Sequence, residues 1–118
     1  MDDAPQVALL PEKGPYDDRG RLIHADDPAA QLALSLACLE SAVAESGHSV
    51  DDLTRIRVRT VDTAVLDEVY DVLTERLEQL GADPEIEVVE ADHLGVPGTL
   101  VTLQATLTLT PPSPRKQQ

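Results

Sequence analysis

The sequence predicts an α+β fold in which two helices pack on one face of a mainly antiparallel or mixed sheet. Three observations lead to it. Residues 29–43 and 65–80 carry apolar side chains at three- and four-residue spacing, the mark of amphipathic helices. Residues 55–60 and 99–109 alternate apolar and polar side chains, the mark of strands with one buried face. The order of these and the shorter strand-like runs is strand, strand, helix, strand, helix, strand, strand, which places the two helices between strands of one sheet.

Each element follows from local chemistry. Residues 1–5 have no packing pattern and are expected to fray, whereas residues 6–10 form a short apolar run closed by Pro11 and the turn-rich Lys13-Gly14-Pro15-Tyr16-Asp17-Asp18-Arg19-Gly20. Residues 21–24 are then expected as its return strand. Asp26-Asp27-Pro28 announces the first helix, with an acidic N-cap and proline at the first helical position. Leu32, Leu36, Leu39 and Val43 share one face with Ala29 and Cys38 near its border, and Gly47 stands where a left-handed cap belongs. Asp62 ends the next strand and caps the second helix, where Val65, Leu66, Val69, Leu73, Leu77 and Leu80 precede Gly81. Residues 84–90 alternate acidic and apolar side chains as an edge-like strand, and Leu94-Gly95-Val96-Pro97-Gly98 makes a turn. In the last strand Val101, Leu103, Ala105, Leu107 and Leu109 oppose Thr102, Gln104, Thr106 and Thr108. That hydroxyl-rich face suits a subunit contact or a wet cleft, although threonine is also a good strand former. Residues 111–118 form a proline-containing polar tail with no means of packing.

At 118 residues the chain is expected to be one domain with one core. Its formal net charge of −13 argues against nucleic acid and against anionic membrane surfaces, both of which are bound through clustered Lys and Arg. No apolar run approaches a membrane span and Met-Asp-Asp-Ala-Pro lacks the parts of a signal peptide, so the chain reads as cytoplasmic. With no Phe or Trp and two Tyr, base-stacking platforms are missing and the core must be aliphatic. The single cysteine, Cys38, excludes an internal disulfide and reads as a small buried hydrophobe. His24, His48 and His93 stand apart with no ligand spacing, so neither a metal nor another cofactor is expected. Ser35, Ser41 and Ser46 fall within or at the end of a helix, where a nucleophile elbow cannot form. His24 beside Asp26 is better read as part of a cap than as an acid–base pair.

The most informative stretch is Arg55-Ile56-Arg57-Val58-Arg59-Thr60, which sets Ile56, Val58 and Thr60 toward the core and three of the chain's nine cationic residues on the opposite face. Two readings stand side by side. The arginines pair across strands with Glu85 and Glu87, which alternate around Ile86 in the same way, or they form an anion-binding row. A sheet face carrying Arg and Thr rows opposite its helices is most simply covered by self-association around a partly hydrated interior.

The element order, together with Gly20-Arg21-Leu22-Ile23, Asp27-Pro28-Ala29-Ala30-Gln31, Leu39 with Gly47, Val58-Arg59-Thr60-Val61-Asp62, Tyr70 and the run from Leu94 through Pro97-Gly98-Thr99-Leu100-Val101 to Ala105, resembles the Rid family, also called YjgF or RidA-like. The resemblance covers about residues 19–107. It implies a Rid or chorismate-mutase-like domain assembled as a trimer, with small-molecule clefts between subunits that hydrolyse enamines and imines. The family's carboxylate-binding arginine corresponds to Ile86 here, and its water-positioning glutamate to Thr102, which cannot act as a base near neutral pH. Cys38 replaces an asparagine, Asp67 lies near another that lines the family pocket, and the Ser-Gly-Gln near the second strand has no counterpart. Gly14-Pro15-Tyr16 is similar to an N-terminal family motif but lies much closer to Gln31, by a shortened front or by coincidence. Tyr16, Asp67, Ile86, Glu87 and Thr102 are therefore the expected ligand-binding positions, and Arg57, Arg59 and Thr102 the candidates for any catalysis.

Two functions follow from this. One is an oligomer, homotrimeric or mixed with a catalytically complete paralogue, that binds a small metabolite or serves as a partner subunit without the family reaction. The other is an enzyme acting on an enamine, imine or related carbonyl intermediate with relocated residues.

Overall fold

The computed structural model describes residues 6–109, so the expectations for residues 1–5 and 111–118 lie outside the described residues. Four strands and two long helices follow the predicted order, with one strand fewer than expected: β1 (Gln6–Leu9), α1 (Pro28–Glu45), β2 (Leu53–Thr60), α2 (Thr63–Leu80), β3 (Glu85–Glu90) and β4 (Val101–Leu109). A single turn of 3-10 helix, Val50–Asp52, precedes β2. The sheet order is β1-β4-β2-β3, with β4 antiparallel to both neighbours and β2 parallel to β3, so the sheet is mixed.

Residues 21–24 are not the return strand of β1. They fold back on residues 15–17 through one bridge, Tyr16 to Leu22, while β1 pairs with the distant β4. Asp17 holds this turn together by accepting from the backbone N–H groups of Arg19 and Arg21, at 2.8 and 2.9 Å, and from Arg21 Nε at 2.8 Å. The turn thus satisfies its own polar groups locally, and β1 is left to a partner whose Leu107 can cover Ala8.

Both helices begin and end where the sequence says. Asp27 accepts from Ala30 N with Pro28 at the first helical position, and Asp62 accepts from Ala64 N. At the far ends His48 N reaches Val43 O with Gly47 at φ 84°, and Ala82 N reaches Leu77 O with Gly81 at φ 71°. Each is a left-handed glycine closing the last turn. α1 buries Leu32, Leu36, Leu39 and Val43, and α2 buries Leu66, Leu73 and Leu77, against Ile56, Val58, Leu103, Ala105 and Leu107 of the sheet. Cys38 is half-buried at the border of that face.

Among the described residues no helix lies on the opposite sheet face. Thr102, Gln104 and Thr106 of β4 look outward there beside Arg59, Arg57 and Arg55 of β2, their register partners. Val7 and Leu9 of β1 lie on the same face, and each is 63% exposed.

Candidate functional site

The arginine row resolves by register. Arg55 stands opposite Glu85 and Arg57 opposite Glu87, and each pair closes, at 2.9 Å between Arg55 Nη2 and Glu85 Oε1 and 3.0 Å between Arg57 Nε and Glu87 Oε1. The cross-strand pairing reading holds for these two. Contact with Glu85 raises the pKa of Arg55, through the hydrogen bond first and the charge second. Arg59 differs because its register partner on β3 is Val89, which offers no charge.

The counter-ion of Arg59 comes from the opposite flank of β2, across β4 and not from β3. Arg59 Nη1 donates to Glu12 Oε1 at 3.0 Å and to Oε2 at 3.2 Å. Glu12 Oε2 also accepts from the hydroxyl of Thr102, in a very close contact. Sequence reasoning missed Glu12. It ended the first strand at Pro11, whereas the extended chain goes on pairing with β4: Leu10 N donates to Ala105 O, and Lys13 exchanges two backbone bonds with Leu103. Between Leu9 opposite Thr106 and Lys13 opposite Leu103 the pairing slips by one residue. Pro11 has no N–H to continue the ladder, so the extra residue falls here and the strand alternation changes phase. Glu12 is thereby turned to the open face, next to Thr102. The only advance signal was a proline inside an otherwise extendable run.

Tyr16 completes the group. Its hydroxyl bonds Thr99 Oγ1 at 2.8 Å and lies 3.3 Å from the Leu94 carbonyl, which fixes the ring over the edge of β4. Gly14 is required beneath it, since a Cβ at that position would collide with the Tyr16 ring. Glu12, Gly14, Tyr16, Arg59, Leu94, Gly95 and Thr102 line an open cleft of about 230 Å³. Three expected site residues, Tyr16, Arg59 and Thr102, are thus brought together. Arg59 Nε and Nη2 have no hydrogen-bond partner among the described residues, which leaves one edge of the guanidinium unpaired on a side chain that is 37% exposed.

The other expected residues lie elsewhere in the protomer. Arg57 and Glu87 sit one step along the open face, bound to each other. Ile86 is paired with Ile56 and packs toward the helices, where it lines a groove of about 520 Å³ with Leu77, Ala82 and Pro84. Asp67 is exposed on α2. Among the described residues no group of three or more His, Cys, Asp or Glu side chains is arranged to hold a metal ion, and no helix is long and apolar enough to cross a membrane.

An open-faced mixed sheet backed by two helices, with a polar cleft at the junction of its N-terminal strand and last strand, places the chain in the α+β class. No protein-family model and no curated protein matches the sequence. Solved structures do match: Escherichia coli TdcF, crystallised with bound serine, superposes with a TM-score of 0.77 at 19% identity over 93% of this chain and 85% of that one. The E. coli YjgF gene product gives 0.77 at 20% identity over 93% and 85%. Rv2704 of Mycobacterium tuberculosis, a member of the YjgF/YER057c/UK114 family, gives 0.70 at 24% identity over 87% and 79%. The chain has the YjgF/Rid fold, as the resemblance of its local strings implied.

Proposed function

We propose that this chain is a cytoplasmic Rid-like subunit that binds a small carboxylate-bearing metabolite in the cleft around Arg59, Tyr16 and Thr102, without hydrolysing enamines or imines by the family mechanism. The observation that carries the reading is the unspent edge of Arg59 in a cleft already walled by two hydroxyl-bearing side chains. A planar guanidinium edge matches a carboxylate in bidentate fashion. TdcF, with the same fold, holds serine, a ligand of this class. Ile86 gives no cation at the place where the family binds its carboxylate, and Thr102 gives no acid where the family positions water.

The cleft is shallow within one protomer, and we infer that neighbouring subunits close it. Val7 and Leu9 expose apolar surface on the same face, which supports burial there in an oligomer. A homotrimer is the assembly implied by the resemblance. Asp67 and Ile86, remote from Arg59 in the protomer, would then belong to the wall contributed by a second copy.

The test is isothermal titration with serine against the wild-type chain and Arg59→Ala. Saturable binding that weakens at least tenfold in the variant is expected, and equal heats for the two proteins would sink the reading.

A second reading, an enzyme with relocated residues, is favoured by one observation: Glu12 brings a carboxylate onto the hydroxyl of Thr102. Under this reading Glu12 orients the attacking water and Arg59, assisted by Arg57, holds the substrate. Hydrolysis of freshly generated 2-aminoacrylate above the buffer rate, lost in Glu12→Gln, would support it. A rate equal to buffer would reject it.

A further inference from the structure

Arg59 is the one member of the arginine row whose counter-ion is delivered by the irregular extended segment after β1 rather than by its register partner on β3. Arg55 and Arg57 meet glutamates one strand away as a consequence of pairing, and neither lines the cleft. Glu12 reaches Arg59 only because the chain slips by one residue at Pro11, and it does so inside the cleft. Both side chains remain about one third exposed, 37% for Arg59 and 33% for Glu12, so a ligand can reach either. Thr102, at 4% exposure, holds the second oxygen of Glu12 from below.

We propose that Glu12 is the specificity-determining residue of this cleft and that it selects small acids bearing an amino or hydroxyl group beside the carboxylate over simple carboxylates. The inference rests on the cleft reading above and deepens it. A ligand carboxylate arriving on the Nε–Nη2 edge of Arg59 meets a guanidinium whose other end is bound to Glu12. Two carboxylates then share one cation, and the like charges oppose each other. A ligand relieves this by offering a donor next to its own carboxylate. An ammonium does so with charge, a hydroxyl with a hydrogen bond alone, and an alkyl group cannot. The same donor serves in both arrangements: while Glu12 stays on Arg59 its oxygens still have lone pairs to accept from it, and once displaced they have lost the Arg59 bonds.

Three ligands of nearly equal size separate the contributions: L-alanine, L-lactate and propionate, titrated calorimetrically into the full chain. The wild type is expected to bind alanine most tightly, lactate less so and propionate weakest. Glu12→Gln keeps an acceptor for Thr102 but removes the charge. It is expected to tighten propionate binding and to shrink the alanine-to-propionate ratio at least fivefold. Glu12→Ala, checked for folding by circular dichroism, is expected to shrink it likewise. A ratio unchanged in both variants, or propionate binding to the wild type as tightly as alanine, would overturn the inference while leaving the cleft intact. Binding of none of the three to the wild type would overturn the cleft reading and this inference together.

Discussion

Gln31 is wholly buried on α1, where its Nε2 donates to the carbonyls of His24 and Gly98 at 3.1 Å each and its Oε1 accepts from Leu100 N at 2.7 Å. It joins the turn before α1 to the one before β4, and so fixes the segment that carries Thr99 under Tyr16. Gln31→Leu leaves three backbone groups without partners, and a loss of about 3 kcal/mol is expected by urea denaturation. Gly14→Ala has a narrower consequence, because the atoms nearest the new methyl group all belong to the Tyr16 ring. Ligand affinity should fall while the helical circular dichroism is kept. Asp17 contributes a pH dependence: the N–H of Arg21 first, then that side chain and the N–H of Arg19, hold its carboxyl below the usual aspartate range. Since its folded pKa is depressed, its contribution to stability is present above the ordinary aspartate pKa of about 4 and is lost as pH falls through the lowered value. An NMR titration of the Asp17 carboxyl should therefore show a midpoint below that of exposed aspartates. At this scale the sequence was legible where a partner lay in strand register, as for Arg55 and Arg57. It was not legible for Glu12 or Gln31, whose partners are set by a slip in pairing and by two meeting turns.

The helices illustrate how much a terminus says. Asp27 with Pro28, Asp62, Gly47 and Gly81 mark their ends by the chemistry of unpaired backbone groups, which is local and therefore readable. Gly81 and Gly98 test this from opposite sides. A methyl group at Gly81 would touch nothing, so Gly81→Ala should cost only the strain of φ 71°, about 1 kcal/mol. At Gly98, with φ 93°, a Cβ would also stand 2.9 Å from Leu22 Cδ2, so Gly98→Ala should lower the melting temperature further. The strands were less transparent. β2 begins at Leu53 rather than Arg55, with a bulge at Thr54 that lets Leu53 and Ile56, three residues apart, both face the core. Simple alternation cannot announce such a phase change. The false return strand at residues 21–24 has the related cause that β1 pairs with the last strand, about a hundred residues away in sequence, while a short turn fulfils the local bonds.

For the whole molecule the open sheet face decides behaviour. With a net charge of −13, copies repel at a distance, and association must come from short-range burial of residues such as Val7 and Leu9. If that face is the subunit contact, Val7→Glu with Leu9→Glu should reduce the mass measured by light scattering to that of a monomer, and added salt should favour assembly of the wild type. Under the proposed reading, in which Asp67 and Ile86 wall the cleft from a second copy, a heterologous contact and a closed ring are expected rather than a two-fold dimer, because the cleft is on the open face while Ile86 packs toward the helices and Asp67 lies on α2. The aliphatic composition that removed aromatic anchors has one further effect. The chain contains no tryptophan, and of its two tyrosines Tyr70 is packed against the core while Tyr16 lines the cleft. Half of its intrinsic ultraviolet emitters thus stand at the candidate site, with a phenol hydrogen-bonded to Thr99. Occupancy of the cleft should be readable by fluorescence from the unmodified chain, with Tyr70 as the built-in reference.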